Sequence, residues 1–292
     1  MSGPIFAQPD PRLSEIVEAI CTSDVGPGAA SSIALPVVSP IICFHYRQAP
    51  LLRLDDPISG AGGTWSDPGR FRITGVQTRA ARLRPNGAVG VIIVRLKPES
   101  ARRIKGLSID ELFGSAASLA DLFPSRDISL LDEMLLEAGD PGARIAAVQS
   151  FLLSRLSERD EDILVRRAAR WLRHDPNVAM RDVASHLDIS ERHLSRVFRN
   201  AIGTTPKQFA RIVRLSKVVA AARRSRGGWA EIALDCGYAD QSHLVNEFSA
   251  MVGTSPAALL RMTSLRIRCD EPVSPRESDF YNTFLSELPN LA

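Results

Sequence analysis

Arg192, Arg196 and Arg199 follow one another at intervals of four and three residues in ERHLSRVFRNAI. On a helix that spacing gathers them on one face, with Ser195 beside them. A guanidinium carries a planar fork of N–H donors, so such a row can grip phosphate oxygens or read O6 and N7 of a guanine. Fifty residues on, QSHLVNEFSAMV sets Gln241, Ser242, Val245 and Asn246 at the equivalent places. Side-chain amides suit adenine edges, and a valine methyl suits the thymine methyl. The competing reading is a solvated helix face with no ligand.

Charge separates these readings. Residues 161–268 hold 18 Lys and Arg against 10 Asp and Glu, while the rest of the chain holds 18 against 23. The positive charge therefore sits in the segment that carries both rows, which points to a polyanionic partner. Other chemistry has weaker support. Cys43 and His45 stand two apart on an expected strand and share a face, the one visible nucleophile–base pair, but no orienting third group or oxyanion motif accompanies them. Cys21, Cys43, Cys236 and Cys269 form no CxxC pair, and His45, His174, His186, His193 and His243 are isolated. Neither a metal site nor a cofactor is expected.

The elements that must position the two rows are written twice. ERHLSRVFRNAIGTTPKQFAR and QSHLVNEFSAMVGTSPAALLR share 7 of 21 aligned residues. In the first copy a short helix near 181–187 precedes a longer one at 191–202, with Ser190 as N-cap, Glu191 in the first turn and Gly203 as the left-handed stop. Thr205-Pro206 opens the next helix. In the second copy a helix through 229–236 ends at Gly237, Asp240 caps a helix to 252, Gly253 stops it and Ser255-Pro256 starts another. Ala184 and Ala233 leave room for the following helix to approach. Leu194, Phe198 and Ile202, like Leu244, Phe248 and Val252, form the inward stripe. This is a helix-turn-helix pattern, at about 181–202 and 229–252. A helix over 206–223 joins the copies, roughly 27 Å long at 1.5 Å per residue, and SRGG breaks it.

Upstream, residues 36–98 read mainly as strands: PIICFHYRQ, RFRITGVQTRAARLR and AVGVIIVRLKP. Pro85-Asn86-Gly87 predicts a hairpin between the last two, and GAGGTW a loop. Phe44, Tyr46, Trp65 and Phe71 are candidates for core packing or for a pocket lining. From Glu99 the spacing turns helical through SIDELFG, SLADLF, SLLDEMLLEAG and PGARIAAVQSFLLSRLS, until SERDED marks a boundary. A helix through ILVRRAARWLRH then opens the basic half. The tail after Cys269 is acidic and proline-punctuated; it is expected to be mobile, with FYNTFLSEL able to dock as a short helix. No apolar run approaches the ~20 residues that span a bilayer. MSGPIFAQPDPRLSE has no basic n-region or apolar h-region. A cytoplasmic chain without membrane contact is the expectation.

Residues 163–262 resemble the DNA-binding domain of the AraC/XylS family of bacterial transcription regulators. VASHLDISERHLSRVFRNAIGTTPKQF and IALDCGYADQSHLVNEFSAMVGTSPAALLR carry the likeness, the latter through Ile232, Ala233, Gly237, Tyr238, Ser242, His243, Leu244, Phe248, Gly253 and Pro256. The resemblance implies a seven-helix domain on asymmetric double-stranded DNA sites, in a monomeric or homodimeric regulator that activates through RNA polymerase more often than it represses. By position, Arg192, Ser195 and Arg196 match the family's base-reading residues in the first unit, and Gln241, Ser242 and Asn246 those in the second. Many members are basic where this chain has Asn246, followed by Glu247. Residues 35–155 resemble, more loosely, an N-terminal domain of no assigned function found in some members, with VRLKPESARRIKGLSIDELFG the most similar part. That implies a cupin-like domain for effector sensing or dimerisation, although no His-x-His metal motif is present.

The expected architecture is α+β. An N-terminal β-rich, cupin-like domain with trailing helices (1–158) precedes an all-α seven-helix DNA-binding domain (159–266) and an acidic tail (267–292). The expected function is a sequence-specific regulator, possible effector included. An architectural DNA binder is the alternative, and an enzyme in the N-terminal domain a distant third.

Overall fold

The computed structural model describes residues 4–54, 63–158, 162–224, 228–262 and 284–286. Its N-terminal strands are β1 (Ile5–Ala7), β2 (Val17–Val25), β3 (Ser32–Ala34), β4 (Ile41–His45), β5 (Leu51–Leu54), β6 (Phe71–Thr74), β7 (Ala81–Arg84), β8 (Val89–Leu96) and β9 (Ala116–Ser118). They form two antiparallel sheets. The larger runs β1-β2-β8-β4-β6-β9, and the smaller contains β3-β7-β5 with β10 (Phe284–Ser286) on its β3 edge. One stretch of the tail therefore adds a strand instead of the short helix expected of FYNTFLSEL. The rest of the tail, SRG at 225–227 and the first half of GAGGTW lie outside the described residues.

The expected hairpin across Pro85-Asn86-Gly87 does not form. β8 is buried at all eight positions. A strand buried on both faces belongs in the middle of a sheet, and both its edges are taken, by β2 and β4. No edge is left for β7, so the turn carries the chain from one sheet to the other. The long run 70–84 breaks for the same reason. β6 and β7 lie in different sheets, and the chain leaves the first at Gly75, where a Cβ would run into the Leu112 carbonyl. β2 pairs along its whole length in a region where no strand was expected, because Glu, Ala, Cys, Ser and Asp dilute its β-branched signal.

The outer face of the six-stranded sheet carries α1 (Leu119–Leu122), α2 (Ser125–Glu137) and α3 (Pro141–Ser154). Their apolar stripes close a core with Ile42, Phe44, Ile73 and Ile92. Phe44 meets Phe71 and Phe151 edge-on, with ring centroids 5.8 and 6.2 Å apart. SIDELFG folds as consecutive turns, not a helix. Its Ile109 and Leu112 are 1% and 5% exposed, and a three-residue interval serves a turn that plugs the core as well as it serves a helix.

The C-terminal half is α4 (Ile163–His174), α5 (Met180–His186), α6 (Glu191–Ile202), α7 (Pro206–Arg224), α8 (Trp229–Asp235), α9 (Gln241–Val252) and α10 (Pro256–Met262), seven helices among the described residues. The two halves are fused more tightly than two independent cores would be. Ile33, Leu35, Val76 and Ala80 belong to the same buried cluster as the helical domain. Glu99, 7% exposed, takes a bidentate pair from Arg173 of α4 at 2.9 and 2.6 Å. Such a forked pair fixes orientation as well as distance.

Candidate nucleic-acid interface

In the first unit α5 packs under α6 at Ala184, 2% exposed, where a larger side chain would hold the helices apart. Asp188, at φ 56°, makes the turn between them. Ser190 accepts from the His193 N–H and fixes the start of α6; Gly203, at φ 84°, ends it. Between those stops Leu194, Phe198 and Ile202 are buried, and Phe198 sits edge-on to Phe209 of α7 at 5.3 Å. The opposite face is open. Arg192, Arg196 and Arg199 are exposed and Ser195 is half-buried. Together with Ser190, His193 and Asn200 they line one concave surface. Arg196 Nη2 lies 3.1 Å from His193 Nδ1, so the histidine accepts there and steadies the guanidinium. The sequence offered no sign of this beyond the three-residue interval.

The second unit repeats the frame. Ala233 is fully buried under α9, Asp240 accepts from the His243 N–H, and Gly253 ends the helix at φ 77°. Leu244, Phe248 and Met251 are buried, while Val252 is only half-buried. Gln241, Ser242 and Asn246 are exposed and Val245 is half-buried. Glu247 turns the other way. It takes Arg214 at 3.0 and 3.2 Å and Arg211 at 3.3 Å, both from α7, and accepts from the Tyr238 hydroxyl at 3.2 Å. Burial and the neighbouring carboxylate push the Tyr238 phenol up, which keeps it a donor. Arg214 also lies over the Tyr238 ring, 5.0 Å from its centroid, and donates to Asn177. The negative charge that follows Asn246 in sequence is thus spent against the linker helix.

The N-terminal domain touches both long helices at their C-terminal ends. The Ala80 N–H donates to the Met251 carbonyl at the end of α9. A Cβ on Gly203, at the end of α6, would come within 2.6 Å of the Ile109 carbonyl. The exposed N-terminal turns of α6 and α9 stay clear of these contacts.

Residues considered for other chemistry have structural surroundings. His45 is buried, its Nδ1 2.9 Å from the Arg70 carbonyl. Burial, with the Arg72 and Arg70 charges adding to it, pushes His45 down to about 4, so it is neutral at pH 7. Burial likewise pushes the Cys43 thiol up, against the guanidinium of Arg72, so it is no thiolate nucleophile. Phe44, Tyr46 and Phe71 are core, and Trp65 stacks under Arg53 and Arg84. Among the described residues no three His, Cys, Asp or Glu converge as metal ligands, and no helix is long and apolar enough to cross a membrane.

Residues 183–262 match the family described as a helix-turn-helix domain, and residues 6–118 match a domain of unknown function, DUF6597. Among curated proteins, the chain is 23% identical over 145 residues to the HTH-type transcriptional regulator CdhR of Pseudomonas aeruginosa, covering 44% of this chain and 43% of that one. It is 35% identical over 75 residues to the HTH-type transcriptional regulator YfiF of Bacillus subtilis, covering 26% and 24%. The matches thus span less than half the length of either relative. Among solved structures, ToxT from Vibrio cholerae superposes with a TM-score of 0.44 at 12% identity, over 82% of this chain and 97% of that one. The chain therefore carries an AraC-type helix-turn-helix domain, of the kind found in transcriptional regulators, behind an N-terminal DUF6597 domain.

Proposed function

We propose that the chain is a sequence-specific regulator of transcription that reads two successive major-groove segments, one with α6 and one with α9. One observation carries this reading: two long helices, capped alike and belonging to two units joined by α7, each bury one face and leave a polar face open. α7 has 19 residues, about 28 Å of helix, close to the ~34 Å turn of a duplex. Arg192, Arg196 and Arg199 supply phosphate grip and guanine contacts, with Ser195 beside them. Gln241, Ser242, Val245 and Asn246 suit an A·T-leaning half-site. The family resemblance supports activation, with RNA polymerase as partner and a small molecule acting through the N-terminal domain.

Footprinting of the full chain on its own promoter region tests the reading. Protection of two segments one turn apart is expected, and Arg196→Ala should cost about 1–3 kcal/mol and relax preference at one base pair. Equal affinity for promoter and random DNA at every salt concentration would make the chain an architectural binder instead. A reporter fused to the bound promoter should rise with the chain present; a fall would reverse the regulatory sign.

A further inference from the structure

Arg214 stands midway along α7, its side chain 17% exposed, and holds both helix-turn-helix units. Its Nη2 gives Glu247 of α9 two bonds, and the guanidinium lies over the Tyr238 ring in the turn between α8 and α9. Its Nη1 serves the first unit, donating to Asn177 Oδ1 at 3.3 Å in the loop that leads into α5. That loop is itself fixed. The Asn177 N–H donates to Asp175 Oδ1 at 2.9 Å, and Lys217, three residues along α7 from Arg214, donates to the His174 carbonyl at 2.6 Å.

Asn177 also meets the second unit directly. Its Nδ2 lies 3.5 Å from the Cys236 carbonyl, and a Cβ on Gly237 would run into the same side-chain amide. The loop before α5 and the turn before α9 therefore touch, and one guanidinium closes the contact from α7.

Inserting one base pair between two half-sites moves the second by ~3.4 Å and turns it about 35° around the duplex. A protein tells such separations apart only if its two reading helices keep a fixed mutual angle. Apolar packing is non-directional and lets helices rotate slightly against each other. A guanidinium that holds a carboxylate and an amide at once fixes direction as well as distance. The bond from Ala80 to Met251, at the far end of α9, fixes a point and not an angle.

We propose that Arg214 and Asn177 are positioning residues that set the half-site separation the chain accepts, by locking the unit of α9 to the unit of α6. Base choice stays with the open faces of the two helices. The spacing preference rests on the two-segment reading proposed above; the lock is a property of the free protein.

Two measurements on the full chain test this, each with wild type, Asn177→Ala and Arg214→Lys. Asn177 is exposed, so alanine there leaves the core intact. Lysine at 214 keeps a cation beside Glu247 but has no fork to reach Asn177 as well. The first measurement is a gel-shift titration on the footprinted site and on the same site with one base pair inserted between its halves. Wild type should lose about tenfold in affinity, the scale of one mismatched pair, and both variants no more than about threefold. All three proteins should bind equally to a probe whose second half is scrambled, and Arg196→Ala should keep the wild-type spacing penalty.

The second measurement needs no DNA. Nitroxide labels at Arg181→Cys of α5 and Leu234→Cys of α8, both exposed positions, in a Cys269→Ser chain report the distance between the units by pulsed electron paramagnetic resonance. One narrow distribution is expected for wild type and a broader one for both variants. Distributions equally narrow in all three proteins, or a spacing penalty that both variants keep in full, would overturn the lock. A distribution that broadens in the variants, with no preferred spacing on DNA in wild type, sinks the two-segment reading and leaves the lock standing.

Discussion

Val197 of α6 and Glu247 of α9 hold the same place in the two units, three residues after a buried leucine and one before a buried phenylalanine. Val197 packs against the helical core. Glu247, whose side chain is 11% exposed, reaches back to α7 and collects Arg211, Arg214 and Tyr238. The first unit thus turns its charge outward, in Arg192, Arg196 and Arg199, and joins the body through apolar packing. The second turns its charge inward and leaves amides and hydroxyls outside. A shared backbone frame carries two different allocations of charge: one unit presents its cations to solvent, the other uses its carboxylate to keep its own angle to the linker helix.

The largest test of that contrast is Glu247→Ala. It strands Arg214, whose side chain is 17% exposed, beside a phenol. Breaking a buried pair from one side leaves the other charge uncompensated. Arg211 is about a third exposed and counts for less. A loss of about 2–3 kcal/mol in denaturant unfolding is expected, and an unchanged midpoint would break the comparison. Next come the outward arginines. Arg192→Ala, Arg196→Ala and Arg199→Ala should flatten the salt dependence of DNA affinity by up to ~0.9 in log–log slope for each phosphate no longer neutralised, and substitutions in α9 should leave that slope alone. The shared frame predicts equality instead: Ser190→Ala and Asp240→Ala each remove an N-cap and should each cost about 1 kcal/mol of stability. The smallest effect falls to Asn246→Ala, at about 1 kcal/mol or less of binding, confined to one A·T pair. Should it outweigh Arg196→Ala, the ranking of the two units is reversed.

The helical half was legible because its signals are local. Ser190, Gly203, Asp240 and Gly253 each act within one turn of where they stand, and the structure uses all four as caps or stops. The N-terminal half hid what depends on distant partners. Whether the turn at Pro85-Asn86-Gly87 closes a hairpin depends on β2 and β4 having already taken the edges of β8. The inward role of Glu247 depends on two arginines more than thirty residues earlier, and aligning it with Val197 was the available clue. Arg72 stands in a run that reads as an ordinary strand; only with the second sheet lying across it are its Nε and Nη1 buried without a hydrogen-bond partner.

The bond from the Ala80 amide to the Met251 carbonyl has a use of its own. Its proton is protected by neither domain's internal ladder, only by the meeting of the two. Separating the halves would release it while every helix and strand stayed intact. Its hydrogen-exchange rate therefore measures the free energy of opening that joint, apart from global unfolding. A single amide, followed with and without DNA, becomes a built-in gauge of how firmly one half of the chain holds the other.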